Sequence, residues 1–541
     1  MKQILLLLLF FISVVYPYKI AVFTPVISPS QYIWNGRVAS KLAGAGNDVT
    51  LIALKYFGLP IKQPKISPLV KIVEVEGASD FDWEGAQEIN NQAMFEDLSF
   101  FDGRMKIMMN STVNQMIIAC GNFLQDKPFL KWLENEKFDL AITHMYEYCP
   151  IGLIHHAKIP TWIWMNSGAL MDYIAYDIGL PLPSSYVSPG VMESDDQMTL
   201  FERTKSFIGH TITPYVYHEY MITSKETELF RKYISPDFPD LRDLGKACPL
   251  VMANTNELYD VPKPTLHKVV YIGGLGMSKK DSKPLEGIFK KVAEDPKVKG
   301  IILLSFGSVA NASFIPVEWK SAFMDAFASF PDYHFFFRYV GDDLKKNHPK
   351  NVDVTDWLPQ SDLLQHPKTK LIITHGGYNS IQESIQASKP MIMVALFGDQ
   401  PKNAVIAQRN GLGIYLKKAQ ISKQNIMNAI SKILHDNTYE KRMQLLQKMI
   451  EKQPFTPDEK LVKYTNYLAE FKSLDNLVPY GTKLNFIQYY QIDVVIILVS
   501  IILGVLFLIY KLLKLLLCLV VRWCCKSKCS KKAVSKDKKN E

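Results

Sequence analysis

Short apolar runs alternate with helix-like stretches through most of this chain, and that alternation admits few folds other than an α/β architecture with parallel sheets. Lys19-Ile-Ala-Val-Phe-Thr-Pro25 reads as a strand. A helix from about Trp34 to Ala45 follows, stopped by Gly44 and Gly46, and Val49-Thr-Leu-Ile-Ala-Leu54 is the next strand, completing one βαβ unit. Phe138–Thr143 and Pro160–Met165 read as later strands of the same sheet. A second series starts near Val269 and carries strands at Gly300–Phe306, His334–Tyr339, Leu371–Thr374 and Met391–Leu396. The boundary falls at the Pro-containing Val261-Pro-Lys-Pro264, dividing residues 19–262 from 263–475. Two Rossmann-like halves facing a cleft are expected, with ligands beyond the carboxyl ends of the strands.

The two ends set the compartment. Met1-Lys2 and the apolar run Ile4–Val15 make residues 1–18 a signal peptide, too short to span a bilayer. After a linker over 476–491, residues 492–512 form a single membrane-spanning helix; the stretch Val494–Tyr510 holds no charge. From Lys511 to Glu541 there are ten Lys/Arg and two Asp/Glu, which accounts for nearly all of the chain's net charge of +9. The folded body is therefore almost neutral, which argues against a nucleic-acid partner. The positive-inside rule makes 513–541 a cytosolic tail and the body lumenal, a type I arrangement. Lys538-Lys539 resembles the dilysine signal that retrieves proteins to the endoplasmic reticulum. With 48% hydrophobic and 21% charged residues the chain is neither disordered nor a disulfide-stapled miniprotein.

Of seven cysteines, Cys120, Cys149 and Cys248 are lumenal, so at most one disulfide forms among them. Their spacing matches no zinc site. Cys524 and Cys525 lie at the membrane, where palmitoylation and free thiols are equally open. Asn110-Ser-Thr and Asn311-Ala-Ser are glycosylation sequons. His155, His156 and Cys149 read as structural, and Phe335–Phe337 as a buried strand.

The most informative stretch runs Trp357-Leu-Pro-Gln360, Ile373-Thr-His-Gly-Gly-Tyr-Asn-Ser380, Glu383, Pro390 and Leu396-Phe-Gly-Asp-Gln400. His375-Gly376-Gly377 sits where a strand turns into a helix. Glycines admit close backbone approach, and the helix N-terminus offers free N–H groups and partial positive charge suited to a diphosphate. Asn379, Ser380 and Ser308 can add donors there. Trp357 offers a face for uracil, Gln360 an amide for a base edge, Glu383 a carboxylate for ribose hydroxyls, and Asp399-Gln400 groups for sugar hydroxyls. Taken singly, Trp357 is more often core, Glu383 a helix charge and Asp399 a cap; together, in one register, they favour a site.

That register resembles the UDP-glycosyltransferase signature, and the layout of signal, body, anchor and dilysine tail resembles the animal UDP-glucuronosyltransferases, with a nematode-like character in Ser28-Pro-Ser-Gln-Tyr-Ile-Trp-Asn-Gly-Arg37. The resemblance implies a GT-B-like fold. It also implies inverting transfer of glucuronic acid or glucose from a UDP-sugar to a small lipophilic acceptor. Arg338 resembles a basic residue near the nucleotide. The donor is a co-substrate, and neither cofactor nor metal is implied. Homo-oligomerisation is left open. Met105–Met116 and Tyr173–Tyr186 line the acceptor pocket or belong to the core, the latter being the default.

The family pattern breaks at the general base. Where a His is expected after the first strand this chain has Gln31, whose amide has no useful basicity. The acidic position that would orient the His is His144, with Glu147 nearby as a shifted acid. Three outcomes follow from sequence: His144 serves as base, the enzyme lacks an efficient base and prefers acceptors that ionise easily, or the protein binds UDP-sugars without turnover.

Overall fold

The computed structural model describes residues 17–537 except 59–62, 79–87, 89–90, 99–101, 217–221 and 278–281. Most of the expected signal peptide and the dilysine-like Lys538-Lys539 lie outside the described residues. Residues up to Val478 form one compact unit and those from Pro479 a second.

The larger unit holds two sheets whose strand pairs are all parallel. The first comprises β1 (Lys19–Pro25), β2 (Asp48–Lys55), β3 (Lys71–Glu76), β4 (Leu140–His144), β5 (Trp162–Asn166), β6 (Leu250–Ala253) and β7 (Val269–Tyr271) in the order β3-β2-β1-β4-β5-β6-β7. The second comprises β8 (Gly300–Ser305), β9 (Tyr333–Arg338), β10 (Val352–Thr355), β11 (Thr369–Thr374), β12 (Met391–Met393) and β13 (Gly413–Tyr415) in the order β10-β9-β8-β11-β12-β13. The central strands are apolar without alternation because helices cover both faces; every residue of β4, β5 and β8 is buried. Phe335–Phe337 are fully buried in β9.

The helices used below are α1 (Pro29–Gly44), α2 (Gly103–Gln125), α3 (Cys149–His156), α4 (Thr223–Tyr233), α5 (Gln360–Gln365), α6 (Tyr378–Ala387), α7 (Gln400–Arg409), α8 (Pro457–Phe471) and α9 (Ile492–Asp537). Helix α1 starts earlier than Trp34. Ser28 caps it by accepting from the Gln31 N–H, and Pro29 sits in its first turn, where its missing N–H costs nothing. Gln31 therefore stands in a helix and not in a loop.

Two boundaries move. Strand β7 pairs with β6 (Val251 with Val269), so the first sheet continues to Tyr271, past the 262/263 division. Val261-Pro-Lys-Pro264 is part of the crossover between those two strands, and the second sheet begins only at Gly300. The anchor helix does not end at 512: α9 runs 46 residues, because nothing in the Leu-rich stretch between Lys511 and Arg522 breaks a helix. Its segment Ile492–Cys525 is long and apolar enough to cross a bilayer.

Helix α8 returns from the second lobe to the first. Its Leu461, Leu468 and Ala469 join the core of α1 and the first sheet, Asp458 pairs with Lys41 at 2.6 Å, and Asn466 accepts from Asn47 at 3.2 Å. In the same lobe a disulfide joins Cys120 of α2 to Cys149 of α3, with Cα atoms 5.9 Å apart; Cys248 remains a buried thiol, which burial raises to about 11. The bridge spans 29 residues. Replacing both cysteines by alanine is expected to lower stability by about 3 kcal/mol, read as a fall in the urea midpoint of the detergent-solubilised chain.

Met116 and Tyr173, from the two stretches that either line a pocket or pack, are core residues. Asn110 is exposed on α2, whereas the Asn311 side chain accepts from Ser313 N–H and Oγ at 3.0 and 2.9 Å.

Candidate functional site

Each sheet has a point where the strand order reverses, between β1 and β4 in the first lobe and between β8 and β11 in the second. Such points open a crevice at the carboxyl ends of the strands. Gln31 and His144 stand at the first, Ser308 and His375 at the second. The two crevices share a cleft. Thr255, beyond β6, lies 3.2 Å from the Tyr378 hydroxyl, and Gln382 of α6 donates to Asn254 O at 2.7 Å and to the Tyr259 hydroxyl at 2.9 Å.

The second lobe builds an anion cradle. Gly377 occupies the cap position of α6 and provides no side chain to cap it. Among the described residues nothing accepts from the N–H groups of Tyr378, Asn379 and Ser380. These are the orphan donors of a helix start, and the helix dipole adds partial positive charge. His375 is framed by glycines. A Cβ on Gly307, whose φ is +76, comes 2.6 Å from the imidazole, and one on Gly377 comes 2.7 Å from its Nε2. Any larger residue at either position displaces the ring. Burial, with Arg338 adding to it, pushes His375 down to about 4, so it is neutral at pH 7. Gly376 has φ +82, and its carbonyl accepts from Asn403 Nδ2 at 3.2 Å.

Arg338, at the end of β9, donates to the Gly307 carbonyl and lies 5.3 Å over the Trp357 ring; burial lowers its pKa. Trp357 is 64% exposed, so much of the indole is open. At the start of α5, Gln360 Nε2 donates to Glu383 Oε2 at 2.8 Å and to Ser380 Oγ at 3.2 Å. Glu383 is half-buried; burial raises its pKa and Arg37 of α1 works against that. Gln400 Oε1 accepts from the N–H groups of Leu396 and Phe397 at 3.0 and 3.1 Å. Asp399 Oδ2 accepts from Asn403 Nδ2 at 2.9 Å. Asn403 thereby ties the Asp399 loop to the glycine turn. It was not singled out from sequence, although its position one turn into α7 after Asp399 is a legible signal.

An exposed aromatic face, a half-buried carboxylate, an uncapped helix start and a paired Asp-Gln in one row are suited to a nucleoside diphosphate sugar. The family profile of UDP-glucoronosyl and UDP-glucosyl transferases matches residues 37–530.

The chain belongs to that family.

It is 30% identical over 496 residues to ugt-48 of Caenorhabditis elegans, named for the UDP-glucuronosyltransferases, covering 90% of this chain and 92% of that one. It is 29% identical over 517 residues to UDP-glucuronosyltransferase 3A1 of Bos taurus, with 94% of each covered. The calicheamicin glycosyltransferase CalG4 superposes with a TM-score of 0.56 at 16% identity, over 83% of this chain and 98% of that one, which shows the GT-B fold. The chain is thus a UDP-sugar-dependent glycosyltransferase, and the reading without turnover is not favoured.

The acceptor side of this UDP-glycosyltransferase departs from what the sequence resemblance implies. Gln31 Nε2 donates to the Tyr146 hydroxyl at 2.8 Å and to Ser167 Oγ at 2.7 Å. His144 is buried at the end of β4, stacked on the Tyr146 ring at 4.3 Å. Its Nδ1 accepts from the Met145 N–H at 2.9 Å, which leaves the proton on Nε2, and burial pushes it down to about 3. Glu147 does not join them. Its Oε1 accepts from the Tyr56 hydroxyl at 3.0 Å, it is fully buried, and burial pushes it up to about 8. Beside it Glu226 of α4 is raised by burial and by the charge of Glu147, and accepts from the Tyr148 N–H at 2.9 Å. Among the described residues no hydrogen bond links Gln31 to His144 or to Glu147. Tyr146 and Ser167 were not singled out from sequence, since they meet Gln31 only through the pairing of β1, β4 and β5.

Proposed function

We infer that the protein is a membrane-anchored glycosyltransferase of the endoplasmic reticulum, with its body in the lumen, that moves glucuronic acid or glucose from UDP to a small lipophilic acceptor with inversion. The uncapped start of α6 beside the glycine-framed His375 carries this reading. The diphosphate rests on the N–H groups of Tyr378, Asn379 and Ser380, with Ser308 and His375 adjoining. Uracil lies on Trp357, with Arg338 behind and Gln360 at its edge. Glu383 accepts from the ribose, and Asp399 and Gln400 hold the sugar. Inversion follows from attack across the cleft, opposite the departing UDP. Because backbone dipoles stabilise the leaving diphosphate, this arrangement needs no metal and no cofactor. Asn110, exposed on α2, is the freer sequon for glycosylation.

Calorimetric titration of the detergent-solubilised chain with UDP tests the reading. Trp357→Ala is expected to weaken UDP binding about 10- to 100-fold, the usual size of a base–aromatic stack. Unchanged affinity would remove uracil from that face.

A further inference from the structure

We propose that this glycosyltransferase takes acceptors whose attacking oxygen is already anionic near neutral pH, namely carboxylic acids and acidic phenols, because Gln31, His144 and Glu147, the described groups at the general-base position, offer no accessible free lone pair to remove a proton. The inference rests on the proposed function and narrows its acceptor class. A general base must offer a free lone pair within reach of the acceptor and a suitable pKa. Gln31 has no basicity, and its Nε2 is engaged by Tyr146 and Ser167. His144 has committed its one lone pair, on Nδ1, to the Met145 N–H. Glu147 is 0% exposed and faces Tyr56.

Among the described residues, four further charged groups near this crevice have partners of their own. On α1, Arg37 lies toward Glu383. Beyond β5, Asp172 Oδ2 accepts from the Gly190 N–H at 2.6 Å. Across the cleft Lys402 donates to the Ser188 carbonyl, and Asp399 is held by Asn403. Ser167, which accepts from Gln31, has its own hydroxyl proton to offer an acceptor oxyanion.

The step then needs no proton transfer. A lone pair of the acceptor anion forms the new bond to the anomeric carbon as the bond from that carbon to the UDP oxygen breaks. UDP leaves with that electron pair, and the negative charge passes from acceptor to UDP.

The test follows UDP release by the full chain in detergent at pH 7, with UDP-glucuronic acid and with UDP-glucose. The acceptors are a benzoic acid, a nitrophenol, an unsubstituted phenol, an aliphatic alcohol and a tertiary amine. The benzoic acid and the nitrophenol are expected to outpace the unsubstituted phenol and the alcohol by about 10²-fold or more, the usual contribution of a missing base. The pH at which the rate climbs is expected to move with each acceptor's own ionisation. Gln31→His is expected to raise transfer to the alcohol by about 10²-fold; UDP affinity serves as the check that the variant is folded. An alcohol as fast as the nitrophenol, or one climb fixed at the same pH for every acceptor, reveals an enzyme base, Asp399 being the remaining one, and overturns the inference alone. Transfer confined to the amine also overturns it. UDP binding without release on any acceptor overturns both this inference and the transferase reading.

Discussion

Gly377→Val is expected to lower kcat/KM for the UDP-sugar by about 10³-fold or more, with a parallel loss of UDP affinity. The added Cβ sits 2.7 Å from His375 Nε2, inside any tolerable contact, so the imidazole has to leave its place or the start of α6 has to shift. Either movement misdirects the three N–H groups to which the diphosphate is assigned. Removing a single preorganised donor of this kind costs about 10²–10³-fold, and here the whole turn is displaced. Gly44→Ala is the matched control. That residue ends α1, and nothing lies within 4 Å of its would-be Cβ, so affinity and rate should stay as they are. Steady-state kinetics with UDP titration reads both variants. A Gly377→Val protein with normal affinity means that the phosphates sit elsewhere.

Glu147→Gln is expected to flatten a fall in stability expected of the parent between about pH 5 and pH 8. Glu147 is held up at about 8 from an ordinary 4.5. Between those values the unfolded chain has released a proton that the folded chain keeps, so raising the pH favours unfolding. The group's stabilising contribution is complete below the ordinary carboxyl range and is lost as the pH climbs through the folded value. At 1.36 kcal/mol per unit the difference reaches as much as about 4 kcal/mol. Glutamine keeps an oxygen to accept from Tyr56 while carrying nothing to ionise. Melting temperatures of parent and variant at pH 5 and pH 8 decide the matter, and parallel drops would mean that Glu147 is already ionised in the fold.

How much of the fold is legible in the sequence depends on how local each cause is. Strands such as β8 and β11 announce themselves because burial on both faces leaves no polar position. The candidate donor site was legible as a cluster because Trp357, Gln360, His375–Ser380, Glu383 and Asp399-Gln400 follow one another along neighbouring strand ends. Strand β7 was misplaced because three residues carry no periodicity, and the prolines before it look the same in a crossover as in a domain boundary. The disulfide partner was open because three cysteines allow three pairings, and only the fold, which brings Cys120 of α2 within 5.9 Å of Cys149 of α3, selects that pair. Glu226 and Glu147 are 79 residues apart in sequence, so nothing local tells that they bury their carboxyls side by side. The partners of Gln31 were hidden for the same reason.

The return of α8 has a mechanical consequence. The chain passes from the first lobe to the second after Tyr271 and comes back before Pro457. A single tether would allow the lobes to swivel freely; a door hung on two pins swings about one axis. Any widening of the mouth to admit an acceptor is confined to rotation about the line joining these two crossings. The lip opposite that line travels farthest.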